Sequence, residues 1–276
     1  MMSKSFSKLS TRSIVAVIGI PLIIAVCLLG KIYFLILPLG IGLMSFYELA
    51  KMARNKHSHV NLILGSLIVF LIIVNEYRPF IEIKFVILFS MIVLLLSELF
   101  RNKESAISNL GTTLLGIFYI GFFSAALVDL REFYNDSVFT YNQGGYLVIS
   151  ILVSIWVCDS AAYFLGTALG KHKLMPRISP NKSWEGAIAG FIFSVITFIA
   201  AKALFLDFLE WRDILAIGII IGILGQFGDL IESMIKRDSR VKDSSSIIPG
   251  HGGILDRFDS LLFTAPAVYL YLKLMQ

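Results

Sequence analysis

The chain has 276 residues, of which 57% are hydrophobic and 16% are charged, and its mean hydropathy is +0.82. A soluble core of this size needs far less apolar sequence, so the composition excludes an ordinary soluble domain and predicts an all-α polytopic membrane protein. The apolar runs are continuous rather than alternating, which argues against a transmembrane β-barrel. The net charge of +5 does not imply a nucleic-acid partner, because in such a protein it mostly reflects topology.

Nine apolar segments are predicted as membrane-spanning helices. In chain order they cover residues 13–30, 32–50, 60–76, 83–100, 107–128, 145–169, 184–206, 213–231 and 260–275. With the N-terminus in the cytoplasm, the inside segments carry 17 of the 24 basic residues and the outside segments carry seven. This asymmetry follows the positive-inside rule, so the C-terminus is predicted to be external.

The chain is expected to form a single integral membrane domain, 1–276. Residues 1–130 hold five segments with few charges, among them Glu48 and Glu98 near segment ends, and are expected to be a scaffold that offers a homodimer contact. Both cysteines lie in apolar segments and suggest neither a disulfide framework nor a metal site. Polar residues concentrate in 145–276, which is therefore the predicted functional half.

The sixth segment contains Asp159, and an acidic residue inside a span is costly and usually functional. We expect it to face a polar cavity, although hydrogen bonds to neighbouring helices would also explain it. In the following loop, Lys182 stands between two plausible helix starts, Ser179-Pro180 and Ser183. A helix N-terminus beside a lysine is suited to binding an anion.

The longest polar interval, residues 228–260, lies between the eighth and ninth segments. At the end of the eighth segment, four polar residues recur at helical spacing and so share one face: Asp229, Glu232, Ser233 and Lys236. Asp256 and Asp259 repeat the i, i+3 spacing at the start of the ninth segment. Two carboxylate pairs without a Cys/His set favour a hard cation with oxygen ligands, Mg²⁺ rather than Zn²⁺.

A glycine-rich cluster, PGHGG at residues 249–253, lies between the two carboxylate pairs. Glycines let the backbone turn sharply and present consecutive N–H groups to phosphates. His251 is expected to contact or orient the substrate. Lys236, Arg237 and Lys242 stand among the carboxylates and are expected to bind phosphate, although a solvated cytoplasmic face would also account for them. No nucleophile elbow is apparent, so a covalent intermediate is not expected.

The same interval resembles the signature of the phosphatidate cytidylyltransferase (CDP-diacylglycerol synthase) family, bacterial type. The pattern covers 27 residues and consists of Ser233-Met234-Ile235-Lys236-Arg237, then Lys242-Asp243, then Pro249-Gly250-His251-Gly252-Gly253-Ile254-Leu255-Asp256-Arg257-Phe258-Asp259. Upstream, the stretches at residues 159–163 and 179–186 are also similar to the family, as is Gly228-Asp229. Ser245 stands where many relatives have glycine.

The resemblance implies the reaction of CTP with phosphatidate to give CDP-diacylglycerol and pyrophosphate, a step of phospholipid biosynthesis. It implies a Mg²⁺ site with a second cation nearby, held by Asp229 and Asp256 and completed by Asp159, Glu232 and Asp259. The implied catalytic residues are Asp229, Lys236, Arg237 and Asp256. The implied substrate-binding residues are Lys182, Ser183, Lys242, Asp243, Gly250, His251, Gly252, Gly253 and Arg257. The acyl chains would enter from membrane lipid, and CTP from the cytoplasmic side of the cell (inner) membrane.

Two other functions fit parts of the sequence. An ion-coupled secondary transporter would use Asp159 and Asp229 as coupling sites at broken helices, but no inverted repeat is visible and the charges concentrate on one face. A related lipid nucleotidyltransferase, such as a CDP-archaeol synthase, would use similar residues. Pyrophosphate release in detergent distinguishes the enzymes from the transporter, and a panel of acceptor lipids distinguishes the two enzymes.

Overall fold

The structure is a computed structural model that describes residues 2–135, 140–248, 250 and 252–275. Counted with their π-helical turns, nine helices lie in these residues, one at each of the nine predicted segments. They are α1 (Met2–Leu29), α2 (Lys31–Arg54), α3 (Leu62–Tyr77), α4 (Ile83–Arg101), α5 (Ala106–Glu132), α6 (Tyr141–Leu169), α7 (Trp184–Leu204), α8 (Trp211–Asp238) and α9 (Leu255–Met275). The chain is therefore mostly helical, as predicted.

Six of the described helices, α2 and α4 to α8, are long and apolar enough to cross a membrane. Two shorter apolar helical stretches are Val15–Leu29 and Leu62–Tyr77. Large apolar side chains are widely exposed on the helix surfaces, and Ile63 and Phe89 are 82% and 70% exposed. Apolar surface on this scale needs lipid rather than water around it. The chain is a multi-pass membrane protein.

The loop before α7 forms a short hairpin that the sequence did not predict. Strand β1 (Lys173–Met175) pairs antiparallel with β2 (Ser179–Ser183). The prediction that Ser179-Pro180 begins a helix is therefore wrong, because both residues lie in β2. A proline is tolerated in this strand because both strands of a two-stranded sheet are edge strands. The prediction for Ser183 is confirmed: its Oγ accepts a hydrogen bond from Gly186 N at 3.2 Å and caps α7.

The chain divides into two compact units. The first comprises Met1–Asp129 with Asp238–Phe258, and the second comprises Leu130–Arg237 with Asp259–Gln276. The polar interval at residues 228–260 is thus shared between them. A single integral membrane domain with a scaffold at residues 1–130 stays a prediction.

In the first unit, α2 packs against α3 and α5 around side chains that are fully buried or nearly so: Phe46, Ile72, Ile73 and Ile120. In the second unit, α7 packs against α6 and α8 around Phe198, Ile214 and Ile217. Helix α8 contains a π-helical turn, Ile221–Gly225, just before the residues that carry the predicted chemistry. An extra residue in a turn changes the face that the next turns present, so this turn sets the direction of Asp229. Helix α8 continues about two turns beyond its predicted end at residue 231.

Candidate active site

Three carboxylates meet in the second unit. One oxygen each of Asp229, Glu232 and Asp259 lies within 4.8 Å of the others. Asp229 and Glu232 stand one turn apart on α8, as their spacing predicts, and Asp259 comes from α9. Glu232 is fully buried, Asp259 is 8% exposed, and Asp229 is half-buried. Carboxylates this close repel one another strongly in a dry site, so the arrangement is suited to a cation.

Two lysines already neutralise part of this charge. Lys182 Nζ lies 2.6 Å from Asp229 Oδ2, and Lys236 forms an ion pair with Glu232 one turn away on α8. Ser233 Oγ also donates a hydrogen bond to Asp229 Oδ1 at 3.2 Å. Three carboxylates and two ammonium groups leave one formal negative charge. This negative charge would attract a divalent cation. The ammonium groups of the two lysines would then be available to bind phosphate oxygens.

The hairpin brings Lys182 to this group of acids. Arg237 Nε, at the end of α8, donates to Ile178 O in the hairpin turn at 3.3 Å. The cap that Ser183 forms on α7 holds the other end of β2. Lys182 lies on β2 between these two attachments, and its ammonium group contacts Asp229. Strands of three and five residues are too short to show a periodic signal, which is why sequence reasoning missed the hairpin.

Asp159 belongs electrostatically to the same group. The charges of Asp229, Asp159 and Lys236 all act on the Asp259 carboxylate. Asp159 is exposed on α6, and the polar cavity expected around it stays a prediction. Among the described residues, the group within 4.8 Å contains carboxylates and neither cysteine nor histidine. Such an all-oxygen donor set fits a hard divalent cation.

Asp256 organises the glycine loop in the first unit. Its Oδ2 accepts hydrogen bonds from Ser244 N and Ser244 Oγ, both at 2.9 Å, and from Gly253 N at 2.7 Å. Gly250 and Gly252 have φ angles of 77° and 85°, which L side chains rarely adopt, so the predicted glycine turn is present. Metal binding by Asp256 stays a prediction. Pro249 and His251 lie outside the described residues.

The predicted site residues fall into two sets. In the second unit the structure places Asp159, Lys182, Ser183, Asp229, Glu232, Lys236, Arg237 and Asp259. In the first unit it places Lys242, Asp243, Gly250, Gly252, Gly253, Asp256 and Arg257. Lys242, Asp243 and Arg257 are exposed.

Similarity to known proteins decides the family. The profile of the cytidylyltransferase family matches residues 10–275. This chain belongs to the cytidylyltransferase family. It is 32% identical to the phosphatidate cytidylyltransferase of Bacillus subtilis over 268 residues, which cover 95% of this chain and 97% of the relative. It is 34% identical to the phosphatidate cytidylyltransferase of Staphylococcus haemolyticus over 269 residues, which cover 96% and 99% of the two chains.

Membership makes the protein a nucleotidyltransferase. The acidic group and its two lysines suit that chemistry, because nucleotidyl transfer requires charge neutralisation around phosphates. The similarity extends through the first 130 residues, which the resemblance in the signature did not cover.

Sequence reasoning missed one residue among the first 130 that binds the polar interval at residues 228–260. Glu48 on α2 is fully buried, and it accepts hydrogen bonds from four groups of residues 244–255. The available signal was an ionisable residue near the end of an apolar segment. Nothing in the local pattern, however, connects it with residues some 200 positions later.

Proposed function

We propose that this chain is a Mg²⁺-dependent phosphatidate cytidylyltransferase, which converts CTP and phosphatidate to CDP-diacylglycerol and pyrophosphate in phospholipid biosynthesis. Full-length similarity to relatives that bear this name carries the proposal. The three carboxylates and two lysines of the second unit support it.

In this reaction an oxygen of the phosphatidate phosphate attacks the α-phosphorus of CTP. A new P–O bond forms, the bond to the β-phosphate breaks, and pyrophosphate leaves with the bonding electron pair. Such transfer depends on alignment and charge neutralisation rather than on a nucleophile from the protein. The residues of this chain therefore bind and orient the two substrates.

The metal would be held by Asp229, Glu232 and Asp259, whose oxygens lie within 4.8 Å of one another. Bound Mg²⁺ supplies charge neutralisation at the reacting phosphates. Asp256, predicted together with Asp229 as a principal ligand, stays a predicted ligand, as does Asp159 in completing the shell. A second cation nearby stays part of the proposal. The three carboxylates carry one more charge than Lys182 and Lys236 neutralise, and this excess negative charge supports a cation site here.

Substrate phosphates would be bound by basic side chains. Lys182 and Lys236 already lie at the acidic group, so we assign them to the triphosphate. The exposed Arg237, Lys242 and Arg257 would bind the remaining phosphate oxygens, including those of the phosphatidate headgroup. Ser183, Asp243 and the glycines at residues 250–253 complete the proposed substrate set, as does His251.

We propose nine spans in the cell (inner) membrane, with a cytoplasmic N-terminus and site and an external C-terminus. The excess of basic residues in the predicted inside segments supports this topology. Cysteines introduced singly at Lys173 and Glu210, both exposed, test it in intact cells with an impermeant maleimide. Labelling of the Glu210→Cys variant alone agrees with the topology, and labelling of Lys173→Cys contradicts it. The homodimer expected from the first five segments stays a prediction.

Purified protein in detergent, given radiolabelled CTP, phosphatidate and Mg²⁺, tests the function. We expect CDP-diacylglycerol and an equal amount of pyrophosphate, with no turnover in EDTA and recovery on adding Mg²⁺. Turnover that persists in EDTA would refute the metal. Turnover with an ether-linked archaeol phosphate but not with phosphatidate would favour the related enzyme. Accumulation of a solute in vesicles without CTP would favour a transporter.

A further inference from the structure

A carboxylate from α2 binds the segment that leads into α9. Glu48 Oε2 accepts hydrogen bonds from Ser244 Oγ at 2.7 Å and from Leu255 N at 2.9 Å. Glu48 Oε1 accepts hydrogen bonds from Ser245 Oγ at 2.6 Å and from Ile254 N at 2.9 Å. All four donors belong to residues 244–255, which we call the signature loop, and all lie with Glu48 in the first unit.

Two of these donors are backbone amides at the start of α9. The first amides of a helix have no carbonyl partner within the helix, and their partial positive charge favours an anion. Ile254 and Leu255 supply their N–H groups to Glu48, so Glu48 caps α9 from a different helix. A fully buried carboxylate is costly unless several donors satisfy it. The four donors of the signature loop thus compensate for the cost of burying this carboxylate.

The signature loop connects Glu48 with Asp256. Ser244 Oγ lies 2.7 Å from Glu48 Oε2 and 2.9 Å from Asp256 Oδ2, so its single O–H is shared between the two carboxylates. Gly253 N donates to Asp256, and a Cβ built on Gly253 would come within 2.5 Å of Glu48 Oε1. A side chain at Gly253 would therefore have to displace the Glu48 carboxylate and the Ser244 hydroxyl, which lies closer still. A change at Glu48 would alter the surroundings of Asp256 through Ser244 and Gly253.

We propose that Glu48 is a positioning residue for the reaction: it holds the signature loop, and through it Asp256, in the conformation that binds CTP. The inference rests on the proposed function, in which this loop and Asp256 serve the nucleotide. It also gives the first part of the chain a role in the site beyond that of a scaffold. Glu48 itself contacts atoms of the signature loop, and we assign it no contact with the reacting groups.

The experiment compares Glu48→Gln and Glu48→Asp with Glu98→Gln. Glu98 is the matched control, because it is another buried carboxylate of the first unit whose bonds go to Asn109 Nδ2 at 2.6 Å and Arg101 rather than to the signature loop. Glutamine has one amide oxygen and brings two donors toward a site that already has four donors. Hydrogen exchange of the signature loop and of α3, and kcat and KM for CTP, are measured on detergent-purified protein.

We expect Glu48→Gln to raise amide exchange at Ile254 and Leu255 and to lower kcat/KM for CTP by about tenfold or more, since bonds to a charged acceptor are lost. Exchange in α3 should not change. Glu48→Asp keeps the charge and should recover part of kcat/KM, whereas Glu98→Gln should leave the loop unchanged. Unchanged loop exchange in Glu48→Gln, or a normal kcat/KM per folded molecule, would overturn the proposal.

A second variant keeps the test decisive if Glu48→Gln does not fold. Ser245→Ala removes one donor to Glu48 and keeps the carboxylate, so a smaller change in the same direction is expected, and its absence would overturn the proposal. Failure of the wild-type protein to turn over CTP would instead refute the proposed function. The two failures are therefore distinguishable.

Discussion

Replacing Asp259 with asparagine should make the metal-free protein more stable while removing its response to Mg²⁺. Asp259 is 8% exposed, and its carboxylate lies within 4.8 Å of those of Asp229 and Glu232. At an effective dielectric constant of about 20, each such pair repels by about 3.5 kcal/mol. The positive charge of Lys236 offsets part of this repulsion. Asparagine keeps an oxygen for the hydrogen bond from Ser260 N, so the expected gain is about 3 kcal/mol or less.

A gain of that size raises the Tm by several degrees, since about 1 kcal/mol corresponds to roughly 2–4 °C in a protein of similar length. Tryptophan fluorescence during heating, in EDTA and in Mg²⁺, measures it. Mg²⁺ should raise the Tm of the wild type but not of Asp259→Asn, and the variant should lose turnover.

Asp213→Asn is the matched control for this experiment. Asp213 is a carboxylate of the second unit that is 2% exposed, but it pairs with Tyr271 Oη at 2.8 Å and with Arg212. Its replacement should lower the Tm and leave the Mg²⁺ response intact. A fall in the Tm of Asp259→Asn in EDTA, with Mg²⁺ still stabilising it, would refute the electrostatic reasoning.

Two further substitutions test the remaining assignments. Lys182→Ala should lower kcat/KM for CTP by about 10- to 100-fold, because the variant loses the charged partner of Asp229 that we propose to bind phosphate. Lys173→Ala, which replaces an exposed lysine on the other strand, should retain activity. An equal loss in both variants would mean that only surface charge matters. Asp256→Asn should abolish turnover while the protein still inserts into the membrane, because asparagine keeps an oxygen for the hydrogen bonds from Ser244 and Gly253 but loses the negative charge of the proposed metal ligand. Near-normal turnover would contradict its assignment.

Local patterns were sufficient for the helices and for part of the site. Continuous apolar runs predicted a helix at each of the nine segments because burial in lipid requires about 20 apolar residues and internally satisfied backbone groups. The spacing of Asp229, Glu232 and Lys236 predicted their shared helix face because helical geometry depends only on positions three to four apart. Ser183 was recognisable as a cap for the same local reason.

Long-range contacts were decided only by the tertiary structure. The meeting of Asp259 with Asp229 and Glu232 depends on how α9 packs in the second unit, and the contact of Lys182 depends on a hairpin too short to show a pattern. The bonds from Ser244, Ser245 and the start of α9 to Glu48 join residues about 200 positions apart. Side-chain periodicity reports which face of a helix is apolar, but it carries no information on which distant donors a buried carboxylate will meet. Glu48 therefore shows why the sequence determines the elements while packing determines their polar partners.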